Sequence, residues 1–370
     1  MTPSRLVRFS LPLAIAAGCI TAAAQANPPA KPQTNQPAAP QAAPTVGSAV
    51  GAITLPVTVV DDKGNPVKNL KADDLKLTDN GAEQKIQSFG PAAPTPMNFA
   101  IVAQTTPGLK TELGDMRLAS VRFVDHTLPA GQDNFLVIQY ATEVDLLVDP
   151  TRAQDKLHDA MNQLGSPQFG GAADESDYHW GGTLYDAIYL AVQEELKKQS
   201  GQHVLVLISD GFDRGSKESM SDAVQAAQEA RTAIFAIYYP TEERREAPQR
   251  QNAGNQRRGG INFPGGGSEY PGTGGGGGSD RRGEQPRQSH EDGKTNLEHI
   301  CSATGGYMLE GRHAKADEAF NKLANLLKNQ YTLTFVPTSE AAASAFHRMT
   351  LTTQKKGVYP LMQQGFSPQQ

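Results

Sequence analysis

The sequence predicts an α/β fold with a doubly wound, mainly parallel sheet, and three observations point to it. Between residues 97 and 239, short and nearly continuous apolar runs recur. Runs of that kind suit strands buried on both faces. Segments of helical periodicity lie between them, and strand–helix alternation builds an open sheet covered on both sides.

The elements follow in order. Residues 53–60 alternate Leu55, Val57 and Val59 with polar or small neighbours, Asp61-Asp62-Lys63-Gly64-Asn65-Pro66 turns the chain, and Leu75 and Leu77 alternate again before Asp79-Asn80-Gly81. Residues 51–96 therefore read as a small N-terminal β unit with solvated turns. Strands are predicted over residues 97–103, 134–140, 144–148, 203–209 and 233–239. Leu109, Leu113, Met116, Ser120, Phe123 and Val124 share one helix face, Leu184, Ala187, Ile188, Ala191 and Val192 a second, and Met220, Ala223, Val224 and Ala227 a third. Leu297, Ile300, Cys301 and Thr304, then Phe320, Leu323 and Leu327, mark two more helices. Residues 331–336 and 347–353 alternate apolar and polar and are predicted to form a C-terminal β-hairpin packed on the early β unit.

Flanking and interrupting these elements are segments of different composition. The first 26 residues carry Arg5 and Arg8, an apolar run and Ala24-Gln25-Ala26, which read as an export signal. A second reading makes Cys19, after Ala16-Ala17-Gly18, a lipid anchor. Residues 27–50 hold six Pro and one charge, Lys31, the composition of an extended, disordered tether. Residues 241–293 hold 14 Gly and eight Arg against eight Asp and Glu, and are predicted to be a disordered insertion. Gly272-Thr273-Gly274-Gly275-Gly276-Gly277 fits a dinucleotide fingerprint in letters only, because no predicted strand precedes it.

Several functions are excluded by composition. A formal net charge of −5 argues against a general nucleic-acid binder. Two cysteines, Cys19 and Cys301, make neither a disulfide framework nor a Cys-based zinc module, and Cys301 sits on an apolar helix face as a small core residue. There is no Gly-x-Ser-x-Gly elbow, and an aspartyl phosphatase would need its nucleophile where Ala103 stands. Catalytic machinery is not visible, and the chain is predicted not to be an enzyme.

In an open α/β sheet, ligands bind beyond the carboxyl ends of the strands. Three loops there stand out: Ala103-Gln104-Thr105-Thr106-Pro107, Trp180-Gly181-Gly182-Thr183, and Ser209-Asp210-Gly211-Phe212-Asp213. Hydroxyls from two loops and a carboxylate from the third are donors for a small hard cation.

With these loops, Gly182-Thr183-Leu184-Tyr185-Asp186-Ala187-Ile188 and Ile208-Ser209-Asp210-Gly211, the chain resembles the von Willebrand factor A domains, and more closely the related secreted proteins of acidobacteria. The resemblance runs from Ile53 to the C-terminus and implies an A-type domain over residues 97–336, with residues 337–370 as hairpin and tail. It also implies protein binding through a metal-ion-dependent adhesion site, Asp-x-Ser-x-Ser with a Thr and an Asp from two further loops. Thr183 and Asp210 match the last two; Ala103, Thr105 and Pro107 stand where Asp, Ser and Ser belong, and sliding the register by one restores no Asp. Losing a carboxylate and a hydroxyl together removes charge and a ligand. The expectation is a degenerate site with Thr105, Thr183 and Asp210 as metal candidates, holding magnesium or manganese weakly if at all. Trp180 joins those three in a ligand-binding surface, since aromatic residues favour interface hot spots.

The sequence thus predicts an exported, non-enzymatic adhesion-type module in the periplasm, at the cell surface or outside the cell. Its partner would be a protein, with no nucleic acid and no transmembrane helix beyond the signal. An unrecognised cell-envelope hydrolase and a mainly structural envelope lipoprotein stay open as alternatives.

Overall fold

The computed structural model describes residues 51–127, 132–166, 182–241, 290–312, 315–337 and 346–366. The export signal, Cys19, the tether and most of the insertion therefore lie outside the described residues.

The first four strands are β1 (Ile53–Asp61), β2 (Leu75–Asp79), β3 (Ala82–Gln84) and β4 (Ile86–Pro91). Between β2 and β3, Asn80 and Gly81 both have positive φ, 49° and 83°, so Asp79 pairs directly with Ala82. Two such residues in succession make the turn whose twist matches that of its flanking strands. At the acidic turn, Asp61 Oδ1 accepts from Lys63 N–H and Asn65 N–H, both at 2.8 Å. The Asn65 backbone bond is the chief cause of an Asp61 carboxyl held below its ordinary 3.8. Its contribution to stability is therefore present above that value and is lost as pH falls through the lower folded-state midpoint. An NMR titration of the Asp61 carboxyl is expected to show a midpoint under 3.8.

The α/β region follows: β5 (Met97–Gln104), α1 (Leu113–Thr127), β6 (Asn134–Tyr140), β7 (Val144–Thr151), α2 (Gln154–Gln163), α3 (Leu184–Leu190), β8 (Gln202–Ser209), α4 (Met220–Glu229), β9 (Thr232–Tyr238), α5 (His290–Thr304), β10 (Met308–Glu310) and α6 (Ala316–Lys328). Six strands form one sheet in the order β10-β9-β8-β5-β6-β7, all parallel except β7, which runs antiparallel at one edge. Phe99, Ile101 and Ala103 face the layer holding α1, α2 and α6, whereas Ala100 and Val102 face α3, α4 and α5. Helix α4 starts where it does because Ser219 Oγ accepts from Asp222 N–H while Asp222 Oδ2 accepts from Ser219 N–H, a reciprocal cap. Helix α2 and strand β10 have no counterpart among the predicted elements. Only Leu157, Ala160 and Met161 are buried on α2, and β10 has three residues, so neither leaves a long apolar signature.

The chain closes with β11 (Tyr331–Phe335), β12 (His347–Thr353), β13 (Val358–Leu361) and β14 (Gly365–Phe366). Residues 331–336 and 347–353 do not pair with each other as a hairpin. Strand β11 lies between β1 and β4, and β12 lies between β2 and β14, in two four-stranded sheets ordered β13-β1-β11-β4 and β14-β12-β2-β3. Each closing strand has one apolar face, and the N-terminal strands offer two open edges where those faces join one core. That core holds Leu55, Val57, Leu77, Leu333, Phe335 and Met349. The α/β region is thus inserted between β4 and β11 of a β-sandwich, with its entry and exit tied together by Ala92 N–H donating to Gln330 O at 2.9 Å.

Candidate functional site

Strand β5 pairs with both β6 and β8, and the chain leaves β5 toward α1 on one face and β8 toward α4 on the other. The loops diverge there, so a crevice opens at the carboxyl edge. Side chains alternate along β5, which buries Ala103 in the α1 layer and brings Gln104 to the rim with Tyr140 and Ser209. Gln104, not Ala103, thus stands where the strand's terminal polar group meets the third loop, with Thr106 and Gly108 two and four residues on.

Gln104 organises that meeting. Its Oε1 accepts from Ser209 Oγ at 2.9 Å and from Asp210 N–H at 3.0 Å, with the Tyr140 hydroxyl 3.3 Å away. Its Nε2 donates to Thr106 Oγ1 at 2.8 Å. A backbone N–H only donates, so the group facing Asp210 N–H must be the carbonyl oxygen, which fixes the amide's orientation. The Tyr140 hydroxyl donates to Ser209 Oγ at 2.8 Å. Burial foremost, with the charges of Asp210 and Asp213, pushes that phenol well above its ordinary range against the opposing bond to Ser209, so it stays a proton donor. Gln104, Ser209 and Asp210 are each fully buried.

The four predicted surface residues are placed differently. Thr105, half-buried, donates its N–H (2.8 Å) and its hydroxyl (3.3 Å) to Tyr140 O. Thr183 does the same to the next carbonyl, Ala141 O, at 2.8 and 3.4 Å. Successive carbonyls at the tip of β6 thus hold one threonine each. Asp210 accepts from Phe212 N–H at 3.0 Å, closing a turn around Gly211. Trp180 lies outside the described residues.

Thr183 is the N-cap residue of α3, and its side chain makes no cap bond. Loop three supplies the cap instead: Asp213 Oδ1 accepts from Tyr185 N–H at 3.1 Å, and Ser216 Oγ accepts from Tyr185 and Asp186 N–H at 3.2 Å. Burial and Asp213 together push the Tyr185 phenol up to about 12. Behind loop three, Asn296 Nδ2 of α5 donates to Gly211 O at 3.1 Å. Gly211 has φ +80°, and a Cβ there would run into the Gly293 backbone. Gly211→Ala is therefore expected to cost about 2 kcal/mol in chemical denaturation, since left-handed backbone alone costs an L-residue 1–2 kcal/mol.

Sequence reasoning missed Gln104, Thr106, Tyr140 and Ser209. The available signal was a polar residue ending the apolar run Phe99-Ala100-Ile101-Val102-Ala103, at Gln104.

A hard divalent cation does not fit this donor set. Asp210 is the one carboxylate among Gln104, Thr105, Thr106, Thr183 and Asp210, the Gln104 carbonyl is turned to hydrogen-bond donors, and its NH₂ group points at the Thr106 oxygen that a cation would need. Among the described residues, no three His, Cys, Asp or Glu side chains gather to hold a metal. Cys301 is buried, which pushes its thiol far up and leaves it no nucleophile.

Residues 115–257 match the von Willebrand factor type A domain. The match begins inside α1, so it includes Thr183 and Asp210 but neither β5 nor Gln104. The sheet and its helix layers have the A-domain fold, with additional strands before and after. No curated protein matches the sequence. Solved structures similar to the chain include the von Willebrand factor domain of the type V pili tip protein Mfa5 from Porphyromonas gingivalis, at 18% identity and TM-score 0.28, covering 33% of this chain and 40% of that one. An aerotolerance-related membrane protein from Bacteroides fragilis gives 12% identity and TM-score 0.37, covering 63% and 99%. Proximal thread matrix protein 1 of the mussel byssus gives 13% and 0.40, covering 74% and 50%. The chain thus spans under half of the pilus tip domain and half of the mussel protein. Among the described residues no helix is long and apolar enough to cross a membrane.

Proposed function

We propose that this protein is an exported, non-enzymatic interaction module whose A-type domain seats a protein partner on the loops beyond β5, β6 and β8. One observation carries the reading: three loops are stitched at the switch point by hydrogen bonds that Gln104, Ser216 and Asp213 accept, which fixes the half-buried Thr105 on the rim above a buried Thr183. A rim held by its scaffold binds with little ordering cost. Among the described residues the same groups supply no nucleophile–base pair, because Tyr140, Ser209 and Gln104 satisfy one another and no described histidine joins them. The A-domain match between residues 115 and 257 supports an adhesion-type role, and the Arg5-to-Ala26 leader supports export.

A photo-crosslinking residue placed at Thr105 tests the reading against the same residue at Thr95, at the opposite end of β5. Exposed to an envelope fraction, the Thr105 probe is expected to capture a discrete product that an excess of unlabelled protein competes away and an excess of the Gly211→Ala variant does not. Equal labelling from both positions, or none, would overturn it.

A further inference from the structure

We propose that the Gln104 carboxamide takes the place of a cation in this A-type domain, so that its loops are held in register by hydrogen bonds alone. The inference rests on the reading of the loops as a recognition rim and goes one step further, to what holds that rim.

Backbone donors set the direction of the network. Asp210 N–H and Gly211 N–H are obligatory donors, and they point at Gln104 Oε1 (3.0 Å) and Ser209 Oγ (2.9 Å). The Tyr140 hydroxyl also donates to Ser209 Oγ, so the Ser209 proton is left for Gln104 Oε1 at 2.9 Å. The amide's two ends then do different work. Its oxygen draws in loop three through Asp210 N–H and Ser209. Its nitrogen, the positive end of the amide dipole, draws in loop one through the Thr106 hydroxyl oxygen.

A cation would join these loops by attracting oxygens from both. A carboxamide joins them by attracting a donor with one end and an oxygen with the other, and it does so without charge. That matters at a position fully shielded from water, where an isolated charge is costly. An Asp at position 104 could accept from Asp210 N–H but could not donate to Thr106, and it would add a second buried carboxylate beside that of Asp210. Such a pair is tolerated when a cation lies between its members. One residue type therefore decides between a metal-held rim and a metal-free one.

Thermal unfolding of the full chain in chelator and in millimolar magnesium or manganese, for wild type and Gln104→Asp, tests this. Wild type is expected to unfold at the same temperature in all three and to bind no cation by calorimetry. The variant is expected to unfold lower in chelator and to regain about 5 °C with manganese. A wild-type midpoint that rises with metal, or a Gln104→Asp midpoint equal to wild type in chelator and indifferent to metal, would overturn the proposal. Should Gln104→Asp not fold, Gln104→Glu and the wild-type metal response decide by the same criteria. These readouts need no partner, so a failed crosslink at Thr105 leaves them standing. A crosslink lost in chelator would overturn the amide lock and keep the interaction rim.

Discussion

Gln104→Leu is expected to lower the unfolding free energy by about 3 kcal/mol, read as a midpoint shift in urea with an unchanged slope. Leucine keeps nearly the same volume, so the loss does not come from a cavity. It comes from donors left behind in a dry place: Asp210 N–H loses its acceptor, and Ser209 Oγ must turn its proton elsewhere. A buried unpaired donor costs about 1–3 kcal/mol, whereas a pair removed together costs little. Combining Gln104→Leu with Ser209→Ala is therefore expected to cost less than the two singles summed, the coupling that a double-mutant cycle reads. Fully additive costs would show that the two side chains act independently.

Phe99→Ala is expected to cost about 4 kcal/mol, in the range measured for buried phenylalanines elsewhere. The Phe99 ring is 1% exposed, stacks on Phe135 at 4.6 Å between centroids and meets Phe123 edge-on at 5.8 Å. Phe123 in turn lies 5.3 Å from Phe320. The cluster ties β5 and β6 to α1 and α6, so truncating Phe99 removes apolar burial and leaves Phe135 of β6 and Phe123 of α1 without its ring. Leu118, on α1 but 50% exposed, supplies the control: Leu118→Ala is expected to stay within about 0.5 kcal/mol of wild type, by the same denaturation measurement. Equal costs at the two positions would contradict the assigned core.

The difference between these two sites mirrors what was legible in the sequence. Phe99 was readable because it lies in an unbroken apolar run, and burial on both faces leaves that mark whatever the neighbours are. Thr183 and Asp210 were legible only as letters that match a motif, and the turn at Asp210 was legible from the glycine that follows it. Gln104 was harder, because a glutamine at a strand end is ordinary in sequence and becomes telling only when Ser209, Asp210 and Tyr140 are seen to converge on it. The motif register shows the same effect. By letters alone, Ala103-x-Thr105-x-Pro107 and Gln104-x-Thr106-x-Gly108 are equally incomplete, and only the pleat shows that Ala103 lies among the α1-layer side chains while Gln104 lies against Ser209 and Asp210.

Local pattern therefore settled what depends on one segment at a time: the alternation of strands and helices, the Asn80-Gly81 turn and the sides of the helices that face inward. Tertiary structure alone decided what depends on segments far apart. It sent residues 331–335 and 347–353 to different sheets, because open edges of β1 and β2 were there to receive them. It made β7 antiparallel and placed β10 at the far edge. It also brought a glutamine from β5 against a serine and an aspartate from β8, more than a hundred residues on, and so turned three unremarkable polar side chains into the device that holds the rim. Hydrogen bonds between distant segments leave no periodicity in either segment, so a single sequence does not announce them.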